Sequence, residues 1–353
     1  LIVVIRQHGK LTFLSFLLVV LCGNTFAQKI PVIPLDLDSL ITVGYATGSL
    51  KTLSGSVEKI TEKQMNKDQV TNPLEAIRGR VPGLTIQRGT NGPAALDAVR
   101  LRGTTSLTSG NDPLIIVDGV FGDLSMLTSI YPTDIESFTI LKDASETAQY
   151  GSRGASGVIE VTTKKGMQGR TQVAYNGSFG ISTVYKNLKM LSGDEFRSVA
   201  SERGISILDK GNNTNFQKEI QQTGLQQNHH VAFYGGSSTS SYRVSLGFMD
   251  RQGVILNEDM KNFTSNMNMN QKMFDGFFDC ELGMFGSILK NHNLVDYQKT
   301  FYSAATFNPT YPNHKDPVTN SWDGITTASQ ITNPLAWMQV DDDDATSHIS
   351  THA

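Results

Sequence analysis

Apolar and polar side chains alternate along much of the second half of the chain. In residues 171–181, polar side chains fill most even positions, and the odd positions include Val173, Tyr175, Phe179 and Ile181. The same alternation runs through residues 240–250, 262–270 and 278–288. Successive side chains of a β-strand point to opposite faces, so these segments predict strands with one apolar and one polar face. Strands of about ten residues with this pattern are typical of a transmembrane β-barrel, although the strands of a soluble sandwich also alternate.

Residues 51–166 carry shorter elements separated by turns. Asn72 and Pro73 predict the start of a helix, because a proline in the first turn lacks only an N–H that would have no partner there. The apolar stripe of this helix would be Leu74, Ile77 and Val81. A second short helix is predicted at 143–150, and strand-forming runs lie at 84–87, 99–101, 114–117, 137–141 and 158–162. This mixture of short elements predicts a compact α+β unit.

The first 27 residues have the pattern of a secretory signal peptide. Arg6 and Lys10 precede an uncharged, mostly apolar run at 11–21, and the small residues Thr25 and Ala27 stand just before Gln28. A run of about 11 residues is too short to span a membrane as a helix, which needs about 20. We therefore expect cleavage after residue 27 and export of the remaining chain.

Composition narrows the classes of function. The 353 residues include 30 Lys and Arg against 33 Asp and Glu, a net charge of -3. This charge excludes a globally basic protein that binds nucleic acid. The two cysteines form no C-x-x-C pair, which argues against a disulfide framework and against a zinc or redox site. We predict no cofactor and no nucleic-acid partner.

Other candidate chemistry is weak. Ser152 and Ser156 lack the G-x-S-x-G context of a hydrolase nucleophile, so we predict no catalytic residues and no enzymatic activity. His229 and His230 lie in a predicted strand, where their rings would point to opposite faces and could not chelate one metal ion. The acidic run 341–344 predicts a solvated loop more than a calcium site, although Asp316 and Asp323 in the same region keep calcium binding open. Residues 291–340 predict a long loop.

Several ordered motifs resemble one family. Residues 72–86, 99–103 and 112–120 resemble successive parts of the plug domain of TonB-dependent outer-membrane receptors. The stretch 134–166, which contains LKDAS and then YGSRGASG, looks like the SusC/RagA subfamily, the glycan and peptide importers of Bacteroidota. Residues 227–254 resemble the early barrel strands of that subfamily.

The resemblance implies an α+β plug domain followed by the first strands of an antiparallel transmembrane β-barrel. The expected organisation is a signal peptide at 1–27, an extended periplasmic segment at 28–50, the plug at 51–166 and the N-terminal part of the barrel, with its loops, at 167–353. The complete family has 22 strands, and about five can be counted here by their period. Since an open sheet in lipid leaves unpaired backbone groups, the chain looks like a portion of a larger transporter.

The resemblance also implies nutrient uptake across the cell outer membrane. The plug would gate the barrel, the TonB-ExbB-ExbD complex would supply the work, and a SusD-like surface lipoprotein would help to capture an oligosaccharide or peptide ligand. Outer-membrane lipid would surround the barrel. The alternative is a plug-like module that binds a ligand or partner without transporting it.

Two sets of residues are candidates for function. TonB binds an extended segment by strand addition, and our candidate for this TonB box comprises Leu40, Ile41, Thr42, Val43, Gly44 and Tyr45. The open alternative is that these residues form a first strand of the plug. Five arginines could pair with carboxylates on the barrel wall; they are Arg78, Arg80, Arg100, Arg102 and Arg153. The alternative is that they are ordinary surface charges or pair with plug carboxylates such as Asp118 or Asp143.

Overall fold

A computed structural model describes residues 40–43, 46–49, 56–66, 72–87, 89, 98–108, 110–294, 296–323, 332–339 and 341–352. The predicted signal peptide at 1–27 and most of the predicted segment 28–50 lie outside the described residues. The first described element is an antiparallel hairpin of β1 (Leu40–Val43) and β2 (Ala46–Ser49). In the described part of the chain, no helix combines the length and the apolar character that a membrane crossing requires.

Two small sheets form the plug. Their strands are β3 Val57–Thr61, β4 Leu84–Gln87, β5 Ala98–Leu101, β6 Leu114–Val117, β7 Val120–Gly122, β8 Ile135–Leu141 and β9 Val158–Thr163. The larger sheet has the strand order β3-β8-β9-β6-β7, in which β6 and β9 are parallel and the other neighbours are antiparallel. The second sheet pairs β4 with β5. The sequence pattern did not predict β3 or β7.

Short helices pack around these sheets. The helix predicted at Asn72 is a single 3-10 segment, Pro73–Ile77, and the Asn72 side chain accepts a hydrogen bond from the Leu74 N–H. All three residues of its apolar stripe are buried, as the pattern predicts. The second predicted helix is α1 (Ala144–Thr147), which continues as a 3-10 segment to Gly154 with a kink at Gly151. Two further 3-10 segments, Leu124–Ser129 and Pro132–Asp134, precede β8.

The second half of the chain is a six-stranded antiparallel sheet in which neighbours in sequence are neighbours in space. Its strands are β10 Gly169–Ser182, β11 Gly224–Gly236, β12 Ser240–Gln252, β13 Asp259–Met273, β14 Phe278–Leu294 and β15 Asp341–His352. This arrangement confirms the predicted fold class, a plug domain followed by strands of an antiparallel barrel. The sequence pattern predicts about five strands, and the described part of the chain contains six in this sheet.

The acidic run predicted as a loop is part of a strand. Residues 341–344 open β15 and pair with residues 291–294 of β14. Backbone pairing with β14 holds these acidic residues in an extended conformation. In addition, the His292 ring lies 2.5 Å from an Asp343 carboxylate oxygen. The loop predicted at 291–340 therefore begins later than expected, because β14 runs to Leu294.

The faces of this sheet are reversed relative to a soluble protein. Large apolar side chains are exposed on one face, and Phe179, Ile181 and Ile349 are 63%, 65% and 80% exposed. Polar side chains are buried on the other; they include Asn228, His230, Arg243, Ser245, Asn262, Thr264, Asn266, Asn268 and Ser287. A face that is polar and covered, opposite one that is apolar and open, is the pattern of a barrel wall that faces lipid outside and a filled lumen inside.

The two ends of the sheet differ. Short turns at 237–239 and 274–277 join strands at one end, whereas residues 183–223, 253–258 and 295–340 join them at the other. The described parts of these three segments, which we call the cap, share a hydrophobic cluster that includes Phe216, Ile220, Ile255, Ala304, Leu335 and Met338. The cap contains α2 (Gly193–Glu202), α3 (Phe216–Glu219), α4 (Tyr297–Thr306) and α5 (Pro334–Trp337).

Candidate functional site at the plug–barrel interface

A buried carboxylate joins the plug to two barrel strands. Asp134 ends a 3-10 segment just before β8 and is 2% exposed. Its Oδ1 accepts from Arg243 Nη2 at 2.9 Å, and its Oδ2 accepts from Ser245 Oγ at 2.6 Å, both on β12. His230 Nε2 on β11 lies 3.0 Å from Oδ2. Because an ionised carboxylate oxygen only accepts, this ring nitrogen must carry a proton.

The network favours the ionised form of Asp134. Burial alone would raise the pKa of this carboxyl, but the hydrogen bonds and charge it receives from His230, Ser245 and Arg243 outweigh burial, and its pKa is lowered. The Tyr131 ring stacks on His230 with centroids 4.6 Å apart. Burial, followed by the negative charge of Asp134, raises the pKa of Tyr131 to about 12. This cluster therefore buries three polar groups, which are the Asp134 carboxylate, the Arg243 guanidinium and the neutral Tyr131 phenol.

Further polar contacts continue along the interface. Asn268 on β13 donates from Nδ2 to Thr163 Oγ1 at 3.0 Å, and the same hydroxyl donates to Asp118 Oδ2 at 2.6 Å. Asn262 donates to the Thr128 carbonyl at 3.0 Å, and the hydroxyl oxygens of Ser287 and Ser129 are 3.1 Å apart. Four strands, β11 to β14, thus touch the plug through hydrogen-bonding groups.

Close packing complements these contacts. Phe285 of β14 is 1% exposed and belongs to the plug's hydrophobic cluster. A methyl group at Gly247 would lie 2.3 Å from the Tyr131 ring, so only glycine leaves room for this ring on β12. Shape as well as charge therefore fixes the position of Tyr131 and Asp134 on the sheet.

The five candidate arginines take different partners. Arg100 and Arg102 form ion pairs inside the plug, with Asp112 and Asp143 respectively. Arg80 Nε donates to Asn66 Oδ1 at 3.0 Å, and the Arg78 carbonyl accepts from Asn66 Nδ2 at 3.2 Å. The ion pairs of Arg100 and Arg102 are of the kind that the alternative describes, pairing with plug carboxylates. Arg80 and Arg78 both contact the amide of Asn66.

Arg153 is placed differently from the other four arginines. It lines a cavity of about 420 Å³ between the plug and β15, together with Asp123, His348 and Ser350. Contact of all five arginines with a barrel wall stays a prediction.

The candidate TonB box is described only in part. Its first four residues, Leu40–Val43, are the strand β1 and pair with β2, while Gly44 and Tyr45 lie outside the described residues. An extended backbone is what strand addition requires. The assignment as a TonB box stays a prediction.

No local pattern in the sequence marks Asp134, because its partners lie 96 to 111 residues further along the chain. The adjacent histidines did give a signal. As predicted, their rings point to opposite faces: His230 is 1% exposed against the plug, whereas His229 is exposed and lies 2.7 Å from the Tyr175 hydroxyl. A polar residue on the covered face of a barrel strand is the pattern that marks a plug contact.

Comparison with known proteins agrees with this geometry. The family model of the TonB-dependent receptor plug domain matches residues 49–158. The TonB-dependent receptor SusC of Bacteroides thetaiotaomicron is 33% identical over 314 residues, which are 84% of this chain and 31% of that protein. The TonB-dependent receptor P3 of Formosa agariphila is 37% identical over 235 residues, which are 66% of this chain and 23% of that protein.

Solved structures share the fold. The structure of the RagAB peptide importer in its open-open state matches with a TM-score of 0.73 and 24% identity, over 89% of this chain and 40% of that chain. The structure in the closed-closed state matches with a TM-score of 0.69, over 85% of this chain.

A plug sheet seated on the polar face of a sheet whose other face is apolar and open defines a receptor of the plugged-barrel class. The chain belongs to the TonB-dependent receptors and is of the SusC/RagA type. It spans 31% of SusC and 23% of receptor P3, less than a third of either relative.

Proposed function

We propose that the chain carries the plug and barrel strands of a TonB-dependent importer of the cell outer membrane. A cleaved signal peptide would direct its export to that membrane. Its ligand would be an oligosaccharide or a peptide, captured with a SusD-like surface lipoprotein. The observation that carries the proposal is the interface around Asp134, where a separate α+β unit is held against the covered polar face of barrel strands. The RagAB peptide importer supports the peptide alternative through the shared fold.

TonB-ExbB-ExbD would deliver work by pulling on the candidate TonB box. Among the described residues of the plug, the pull would first reach Ser56, whose N–H donates to Asp143 Oδ2 at 2.6 Å. It would then load β3, an edge strand of five residues whose neighbour in the plug sheet is β8. The ion pairs Lys142–Glu58 and Lys164–Glu62, both at 2.8 Å, resist this movement at the two ends of β3.

The rest of the plug would resist more strongly. β8 follows Asp134 directly, and β9 ends at Thr163, which accepts from Asn268 of the barrel. Beside β3 and β8, a polar cavity of about 520 Å³ separates the plug from the barrel strands and is lined in part by Glu62, Glu136, Lys164 and Arg243. Removal of β3 would widen this existing gap while the Asp134 contacts stay in place.

The TonB step is testable without knowledge of the cargo. We expect the purified C-terminal domain of TonB to bind the detergent-solubilised protein, and Val43→Pro to weaken this binding at least tenfold, since proline removes a backbone donor. Val43→Ala keeps the donor and should bind like the wild type. Equal binding by both variants would refute the assignment of residues 40–45.

Cell fractionation separates the importer from the alternative of a non-transporting binding module. An importer would fractionate with the outer membrane and would stay there after a high-salt wash. A binding module would be recovered in the soluble periplasmic or extracellular fraction.

A further inference from the structure

Two lysines stand side by side on the outward, apolar face of the barrel sheet. Lys261 of β13 and Lys290 of β14 are directly opposite each other in the strand register, and both are exposed. Directly opposed residues on neighbouring strands have Cβ atoms about 4.5 to 5.5 Å apart, so two like charges in this position repel each other. Strand pairing alone therefore does not favour these two residues.

The lysine pair lies at one border of the apolar face. Toward the short turns, the next outward pair is Phe263 and Ile288, which are 44% and 54% exposed. Toward the cap, the next outward pair is Asp259 and His292, and the His292 ring contacts Asp343. In membrane barrels the short turns are periplasmic and the longer connections are extracellular, and a charge on the lipid face is tolerated near either interface. The lysines are therefore expected at the level of the lipid headgroups in the outer leaflet.

The neighbouring strands do not neutralise the pair. On the far side of Lys261, the opposite residue on β12 is Asp250, which accepts a hydrogen bond from Gln227 Nε2 at 3.3 Å. On the far side of Lys290, the opposite residue on β15 is Ala345. Among the described residues, neither lysine forms an ion pair with a carboxylate. Two ammonium groups are therefore available beside a row of apolar side chains.

A lipid whose headgroup ends in a phosphate monoester matches this arrangement. Such a phosphate carries a charge of about −1.5 to −2 at pH 7 and three acceptor oxygens, so it can pair with two ammonium groups at once. Hydrogen bonds between an ammonium and a phosphate are among the strong ones in proteins. The acyl chains of the same lipid would lie along Phe263 and Ile288, which continue the lipid-facing wall from the lysines. Free phosphate would use only the charged part of this site, and a neutral lipid only the apolar part.

We propose that Lys261 and Lys290 form a binding site for the phosphate monoester of an outer-leaflet lipid, whose acyl chains pack on Phe263 and Ile288. The bound phosphate would cancel the repulsion between the lysines and would stabilise the pairing of β13 with β14. This site rests on the outer-membrane location in the proposed function, but it does not depend on the cargo, on the SusD-like partner or on TonB.

Native mass spectrometry of the full chain, solubilised in a neutral detergent, measures lipid binding. Dioleoyl phosphatidic acid should bind at least tenfold more tightly than dioleoylglycerol, which has the same acyl chains but no phosphate. Lys261→Gln and Lys290→Gln should each weaken the binding of phosphatidic acid about tenfold, whereas Lys261→Arg keeps the charge and should bind like the wild type. The control Lys272→Gln removes an exposed lysine at the other end of β13 and should also bind like the wild type.

Hydrogen exchange supplies a readout that two unrelated surface lysines would not give. Without added lipid, Lys290→Gln removes the repulsion, so protection of the peptide covering 278–294 should rise by up to about fivefold relative to the wild type. With saturating phosphatidic acid the order should reverse, because only the wild type gains both contacts to the phosphate. A variant that is less protected than the wild type without lipid would overturn the proposal.

Three binding results would also overturn the lipid site. The first is equal binding of phosphatidic acid and dioleoylglycerol by the wild type, and the second is a loss in Lys272→Gln as large as in Lys261→Gln. The third is displacement of phosphatidic acid by an equal concentration of inorganic phosphate, which would show that the site holds free phosphate rather than lipid. Each of these results would leave the proposed importer intact, whereas recovery of the chain in the soluble fraction would refute both proposals.

Discussion

Replacement of Asp134 by asparagine should release the plug from the barrel strands. The substitution keeps the shape of the side chain but removes its charge, so Arg243, 7% exposed, loses its counter-charge. An amide can still accept from Arg243 through its oxygen. Its NH₂ group now faces two groups that had been donating, His230 Nε2 and Ser245 Oγ.

The magnitude follows from the burial of the pair. Removal of one partner of a buried ion pair costs about 3 to 5 kcal/mol, because the other charge stays buried without compensation. A single hydrogen bond to a charged group contributes about 1.5 to 3 kcal/mol. We therefore expect Asp134→Asn to lower the free energy of plug unfolding by about 3 kcal/mol. Ser245→Ala, which removes one donor to the charged carboxylate, should lower it by about 1.5 to 3 kcal/mol.

Native-state hydrogen exchange of the peptide covering β8, residues 135–141, measures this free energy in detergent micelles. The double variant Asp134→Asn, Arg243→Met removes both charges and should recover part of the lost stability, since a buried charge pair is often replaceable by apolar groups. A loss below about 0.5 kcal/mol for Asp134→Asn would refute the view that this network anchors the plug. A double variant that loses the sum of the two single effects would show that the two groups do not interact.

Three further predictions test other contacts. Lowering the pH below 3.8 should weaken the plug, because a carboxyl with a lowered pKa stabilises the fold above its unfolded pKa of 3.8 and loses this contribution as the pH falls towards its depressed pKa. Exchange of β8 between pH 6 and pH 3 should show the start of this loss below pH 3.8, and Asp134→Asn should lack it. Gly247→Ala should destabilise the plug by about 1 to 3 kcal/mol, since its methyl group would meet the Tyr131 ring. In the control Gly110→Ala the new methyl group meets nothing within 4 Å. Equal effects of the two substitutions would contradict the close packing of Tyr131 against Gly247. Lys59 and Thr139 are directly opposed on β3 and β8, so Lys59→Cys and Thr139→Cys in a Cys280→Ser background can form a disulfide. This disulfide should block uptake but spare ligand binding, and dithiothreitol should restore uptake. Uptake that persists in the oxidised form would show that β3 does not leave β8.

The sequence predicted those strands whose side chains alternate cleanly. In β13, Phe263 and Met269 face outward and Asn266 and Asn268 face the plug, so the period of two was visible. In β11 the outward positions include Gln227 and His229, which removes the contrast, and this strand was found by resemblance instead. β15 begins with acidic residues and is polar along most of its length, so only the backbone pairing with β14 identifies it.

The candidate site was harder to predict than the strands. Asp134 stands before a strand in the sequence, where an acidic residue usually lies in a solvated turn. Its role depends on two strands more than 90 residues away, which no local pattern can place. The arginines were conspicuous because they are charged, yet the partners of Arg100 and Arg102 lie within the plug itself.

The polar character of the interface has a physical consequence for a plug that moves. An apolar interface would be held by burial worth about 25 cal/mol per Å², and every part of the plug would need similar work to leave. In this chain the strong polar contacts concentrate at Asp134 and around Thr163. The edge strand β3 is held by one neighbouring strand, by Ile60 in the plug's hydrophobic cluster and by ion pairs at its ends. Partly exposed ion pairs contribute only about 0 to 1 kcal/mol each. A pull from the N-terminal side would therefore meet its weakest resistance at β3 and its strongest at Asp134, so the plug would yield in part before it is released as a whole.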